Sequence, residues 1–258
     1  MELVYTLPGA AVLIEWALAA ALYAAGWRRL RRGFGRVGDS LVVAGMVTAL
    51  TDVVWRAWVG VPELALARSS LSTGLAVATL AVYAALAARR TERLSAFLIL
   101  AFAVPAQAYA VGRLWWKVEV IPQEVFGPVW LALGVLSGLI GAGALGVGAA
   151  MLALAVAPEK VQGRLPMSEA VKLPVLSEWA VRLALVALSV SASLDLVRAW
   201  WGLGQAMSGG LIWLLIAWLL LAAGVVSLAQ EGVSRRLSLA LLVPAFVAAI
   251  GGLLTMVH

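Results

Sequence analysis

Eight apolar stretches, at about 8–26, 40–60, 70–88, 94–114, 127–156, 180–200, 209–229 and 237–257, take up most of this 258-residue chain. Most are close to the ~20 residues an α-helix needs to cross the ~30 Å hydrocarbon core of a bilayer. Hydrocarbon offers no partner to a backbone amide or carbonyl, so a crossing segment must be a helix or part of a closed barrel. The runs are continuous rather than alternating, which argues against barrel strands. The expected fold is all-α: a polytopic membrane helical bundle of about eight spans, forming a single transmembrane domain over 1–258. Hydrophobic residues at 64%, charged residues at 12% and a mean hydropathy of +1.01 leave too little polar surface for a domain dissolved in water. The bilayer is therefore the principal partner.

Basic residues set the expected orientation. Loops after the first, third, fifth and seventh runs hold Arg28, Arg29, Arg31, Arg32, Arg36, Arg89, Arg90, Arg93, Lys160, Arg164, Lys172, Arg182, Arg235 and Arg236. The opposite side has only Arg56, Arg68, Arg113, Lys117 and Arg198. Lys and Arg collect in cytoplasmic loops, so both termini are expected on the outer side. Trp55, Trp58, Trp115, Trp116, Trp130, Trp200 and Trp201 map to that same outer interface, where amphipathic rings favour the headgroup level. The net charge of +6 is thus a loop signature and gives no reason to invoke nucleic acid. The start, Met1-Glu2-Leu3-Val4-Tyr5, lacks a basic leader region, and the first run ends in an arginine cluster. It reads as a retained span.

Several chemistries are excluded or disfavoured by residue type. With no cysteine there is no disulfide, thiolate ligand or thioether attachment of heme. The single histidine, His258, cannot furnish a bis-imidazole or multi-histidine metal site and reads as an exposed terminal residue. No lysine lies within a span to form a retinal Schiff base, and no Walker loop, dinucleotide fingerprint or Ser/His/Asp set is present. The residues give no catalytic set of their own.

Polar groups at membrane depth are the candidates for function. Glu15 falls inside the first run, where a charged side chain costs on the order of 2.5–3.5 kcal/mol unless it is paired, protonated or facing a polar cavity. Asp52 with Arg56, and Asp195 with Arg198, have the spacing of intrahelical pairs. Gln107 and Tyr109 precede Arg113 in the fourth run. By depth and sidedness alone, an outward-open cavity would be lined by Glu15, Arg56, Gln107, Arg113 and Arg198. Gly134-x-x-x-Gly138 opens a glycine-laden fifth run and marks close helix packing. Pro105 and Pro244 are expected to kink their spans. The inner connection 157–178, with Pro158, Pro166 and Pro174, reads as an ordered crossover. No internal repeat is evident, which disfavours a secondary transporter.

The outer segment between the sixth and seventh runs carries Trp200, Trp201, Gly202 and, twelve residues after Trp201, Trp213. It resembles the tryptophan-rich motif of the CcsA/CcmC/ResC cytochrome c assembly family, Trp-Gly-x-x-Trp-x-Trp-Asp-x-x-x-x-Trp. Trp201, Gly202 and Trp213 match the two ends, while Gln205, Met207 and Ser208 stand where the motif has Trp, Trp and Asp. Val129-Trp130-Leu131-Ala132-Leu133-Gly134 resembles the family segment before its central span, without that segment's histidine. The resemblance extends to the order of spans and to the outer placement of both termini.

It implies a heme shelf at the outer face of a prokaryotic cytoplasmic (inner) membrane. Trp200, Trp201, Gly202 and Trp213 would bind the porphyrin, and partner subunits would complete its ligation. Two other expectations stand beside it. One is a non-catalytic subunit anchoring a larger membrane complex on the same scaffold. The other is a small-molecule or lipid transporter with an outward cavity.

Overall fold

A computed structural model of the chain describes residues 2–29, 32–59, 68–87, 93–115, 128–158, 172–202, 209–230 and 234–255. The described residues form eight helices: α1 (Glu2–Arg29), α2 (Arg32–Val59), α3 (Arg68–Ala87), α4 (Arg93–Trp115), α5 (Pro128–Ala155), α6 (Leu173–Gly202), α7 (Gly209–Ala229) and α8 (Arg235–Thr255). Seven of them, all but α4, are long and apolar enough to cross a membrane over their described residues. The all-helical expectation holds, and no strand occurs among the described residues.

Burial follows the logic of a lipid solvent. Ile14, Leu18, Val43, Val47, Leu50, Val186, Val190, Leu219 and Val247 are exposed, while Ser69, Ser72, Thr73, Thr79, Gln107, Ser177 and Ser191 are buried. In water such an apolar exterior would be an association surface. In hydrocarbon it is the wetted face, and polar groups turn inward to find partners. Hydroxyls that stay on their own helix return to a carbonyl one turn back: Thr48 to Ala44 (3.0 Å), Thr51 to Val47 (2.8 Å), Thr79 to Leu75 (2.7 Å) and Ser189 to Leu185 (2.7 Å).

Helix ends follow local chemistry. Ser234 caps α8, its Oγ accepting the Arg236 amide at 3.3 Å. Pro158 follows a tightened last turn of α5, in which the Ala157 amide donates to the Leu154 carbonyl at 3.3 Å. The helix α6 begins at Leu173, earlier than the expected 180, and so absorbs Pro174 from the connection. A proline in the first turn loses only an amide that has no intrahelical acceptor. Pro105 and Pro244 both lie inside continuous helices, α4 and α8.

The chain divides into two compact units, one ending at Pro122 and the other beginning at Gln123. In the first, α1 packs on α2 and α4, and α3 packs on α4 and α2. Trp16 of α1 is fully buried over Gly45 of α2 and donates through Nε1 to the Val42 carbonyl at 3.4 Å; Tyr23 lies over Gly38 and donates to Asp39. These pairs run in opposite senses along the two helices, so α1 and α2 are antiparallel.

In the second unit α5 packs on α6 and α8, and α7 on α8 and α6. The α5–α6 pairing is in register along its length: Gly148 against Val181, Gly141 against Leu188, and Gly138 against Ser191. Ser177 and Ser191 donate across it to the carbonyls of Gly148 and Gly134, each at 2.9 Å. Between α7 and α8, Leu214 meets Gly252, Gly224 meets Leu242, and Ser227 and Ser238 share a 2.7 Å hydrogen bond.

Candidate functional site

Two places concentrate the residues singled out by sequence. The first is the junction of α6 and α7. The helix α6 does not stop at 200 but continues through Trp200, Trp201 and Gly202, so the Trp-Gly pair closes a helix rather than opening a loop. A span can outrun the hydrocarbon because its last turns still satisfy their own backbone groups. The side chains of Arg198, Trp200 and Trp201, and residues 203–208, lie outside the described residues. Trp213, in the second turn of α7, is 45% exposed. Its indole lies against Gly251 of α8, where an added Cβ would sit 3.5 Å from Trp213 Cδ2. A flat aromatic seated on a glycine presents its outer surface to whatever approaches that end of the helix. Its neighbour Leu214 points inward and is 1% exposed.

An iron porphyrin would find a stacking surface at Trp213. It would find no imidazole among the described residues, since the only histidine, His258, falls outside them. Among the described residues no group of three or more His, Cys, Asp or Glu could hold a metal ion.

The second place is the end of the first unit where α1 begins. Gln107 of α4 is 1% exposed, and both polar atoms of its amide are engaged. Its Oε1 accepts from Thr73 Oγ1 of α3 at 2.9 Å, and its Nε2 donates to the Gly9 carbonyl of α1 at 3.0 Å. One side chain thus joins three helices. Beside it Ser72 donates to the Ala106 carbonyl at 2.7 Å. Ser69, 1% exposed, has an Oγ with no hydrogen-bond partner, and Arg113 has buried Nε and Nη2 atoms in the same condition. The Arg113 guanidinium lies 6.0 Å from the centre of the Tyr109 ring, a distance at the outer limit of a cation–π contact.

The five residues expected to line a cavity fall in both units of the chain. Glu15, Arg56, Gln107 and Arg113 belong to the first unit and Arg198 to the second. The side chains of Arg56 and Arg198 lie outside the described ones, so their intrahelical pairing with Asp52 and Asp195 does too. Gln107 is buried and ties α3 to α1. Glu15 has a buried Oε2 without a partner. It does not pair with Arg113 through that atom, since the buried Arg113 Nε and Nη2 also have no hydrogen-bond partner.

Sequence reasoning did not single out Ser69, Ser72 and Thr73. The run Arg68-Ser69-Ser70-Leu71-Ser72-Thr73, with four hydroxyls opening an apolar helix, was the available signal. No protein family, curated protein or solved structure matches the chain.

Proposed function

We propose that this is a divergent heme-handling membrane protein of the cytochrome c assembly type. In this reading it holds the porphyrin by aromatic stacking on its outer face and works with partner subunits that supply iron ligands. Both termini lie on that outer side of a prokaryotic cytoplasmic membrane, as the loop charges require. The observation that carries the reading is Trp213: a tryptophan half-exposed on a glycine of the neighbouring helix, at the motif's final position, with Trp201-Gly202 closing the preceding helix.

The histidine census favours a second reading, a non-catalytic subunit that anchors a larger membrane complex. A chain with His258 alone cannot ligate heme iron on both faces through imidazole. Absorbance of the purified full chain separates the two. A Soret band that is lost in Trp213→Ala and Trp201→Ala supports heme at the shelf. Colourless protein that co-purifies in fixed ratio with other membrane subunits refutes the first reading and favours the second.

A further inference from the structure

The unpartnered donors at the end of the first unit belong to a single seam. Ala87 and Arg93 are six residues apart, a reach of at most ~21 Å, whereas the twenty residues of α3 are ~30 Å long. The two helices must therefore be antiparallel. The bond from Ser72 to the Ala106 carbonyl then fixes their register. Ser69, three residues before Ser72, comes level with Tyr109, three residues after Ala106. Arg113 lies seven residues beyond Ala106 and shares its helix face, while Ser69 shares the face of Ser72 and Thr73. A helical side chain leans toward its own N-terminus, and the Arg113 guanidinium does so, lying over Tyr109 at the level of Ser69.

Two unmatched side-chain donors thus come level where α3 begins. Arg113 brings two buried N–H groups with no partner, and Ser69 a fully buried hydroxyl with none. The first turn of α3 brings the positive end of the helix dipole. Asp52 of α2, seven residues beyond Gly45 on the same face and buried, is the acidic group packed nearest by register, and it is already engaged in an interaction of its own. A cation left with buried, unmatched donors is unfavourable, so an acceptor of opposite charge is the missing component.

We infer that this corner binds a phosphate oxyanion, with Arg113 supplying the guanidinium fork and Ser69 a hydroxyl at the positive end of α3. Phosphate suits a planar fork combined with a helix N-terminus. It is also the anion found at the ends of membrane spans, so the group can come from a phospholipid head or from soluble phosphate. The site is separate from Trp213 and does not depend on heme.

The test uses the full chain purified in a non-ionic detergent. Native mass spectrometry reads retained phospholipid, and thermal unfolding is followed in potassium phosphate against potassium chloride of equal ionic strength. Retained phospholipid that falls roughly tenfold or more in Arg113→Gln, and less in Arg113→Lys and Ser69→Ala, identifies a lipid source. Lipid-free protein whose midpoint rises in phosphate, with the rise lost in Arg113→Gln, identifies a soluble source.

Ser69→Ala removes no bond made within the protein, so it tests the site without threatening the fold. Arg113→Gln in ligand-free protein should be at least as stable as the parent, because it removes a partly buried charge with unmatched donors; a structural role for Arg113 predicts the reverse. Retention and phosphate response that are absent, or unchanged in Arg113→Gln, overturn the proposal.

Discussion

The seam between α5 and α6 makes a quantitative prediction about the second unit. A Cβ built on Gly141 would lie 2.7 Å from Leu188 Cγ, 2.9 Å from its Cδ2 and 3.0 Å from its backbone nitrogen. On Gly148 it would lie 2.6 Å from Val181 Cγ2 and 3.3 Å from both the Val181 nitrogen and the Ser177 carbonyl oxygen. Carbon atoms pack at about 3.5–4.0 Å. The shortfall at Gly141 is 3.5 − 2.7, or about 0.8 Å. Leu188 is 1% exposed and Val181 0%, so neither side chain has space to swing into.

The helices must separate, and separation also stretches the two serine bonds that cross the seam, each 2.9 Å. Overpacking costs about 1–3 kcal/mol and each serine bond is worth about 0.6 kcal/mol in a membrane, while alanine recovers up to ~1 kcal/mol of helix propensity over glycine. The net for Gly141→Ala or Gly148→Ala is therefore a destabilisation of about 1–2 kcal/mol each. If the strain is a shared separation, the second methyl enters a gap the first has opened. The double variant should then fall short of the sum of the singles by ~0.5 kcal/mol or more.

Unfolding in mixed micelles, followed by circular dichroism against the mole fraction of sodium dodecyl sulfate, measures all three. Gly209→Ala, whose Cβ would meet nothing within 4 Å, is the internal control and should shift the midpoint little or upward. Single variants that match this control would refute the close-approach argument. Strict additivity in the double variant would refute the shared gap.

Three further outcomes follow from the same physics. Gln107→Ala leaves the Thr73 hydroxyl and the Gly9 carbonyl without their partner and should cost about 1–3 kcal/mol in the same micellar titration. Glu178→Gln breaks the ion pair with Arg182, whose side chains are 41% and 56% exposed respectively, and should change stability by less than ~0.5 kcal/mol. The absence of cysteine allows a clean topology assay. A single cysteine at position 33 or 162 should resist a membrane-impermeant maleimide applied to intact cells, and one at position 205 should react, with the opposite pattern refuting the charge-based orientation.

What sequence revealed, and what it did not, follows from what lipid demands. The spans were legible because a bilayer requires long apolar helices whatever their partners. Their faces were less legible. Gly134-x-x-x-Gly138 marked close packing, yet Gly134 has ordinary room, with its nearest neighbour at 3.8 Å, and the tight positions are Gly138, Gly141 and Gly148. Which glycine is pressed depends on the opposite helix, here on Leu188 and Val181, and no local pattern encodes that. Depth and sidedness named Gln107 as a cavity candidate but could not show that Thr73 and Gly9 engage both atoms of its amide. Ser69 and Arg113 are 44 residues apart, and each alone reads as an ordinary residue of a span end.

The two units share an order of neighbours that sequence inspection does not reveal: first helix on second and fourth, third on second and fourth. Their seams nevertheless do opposite things. Between α5 and α6 the backbones approach until glycine is the only residue that fits at Gly141 and Gly148, and the buried serines there are satisfied by carbonyls across the gap. Such a seam has neither space nor spare donors. Between α3 and α4 the inner part is closed by Ser72 and by Thr73 with Gln107, while the end nearest Ser69 and Arg113 keeps donors unspent. Buried donors without partners are rare because each costs ~1–3 kcal/mol, so the ones at Ser69 and Arg113 set this seam apart from the α5–α6 seam, where Ser177 and Ser191 are bonded across the gap. The unmatched buried donors among the described residues are thus in the first unit, whereas Trp213 in the second lies half-exposed at a surface.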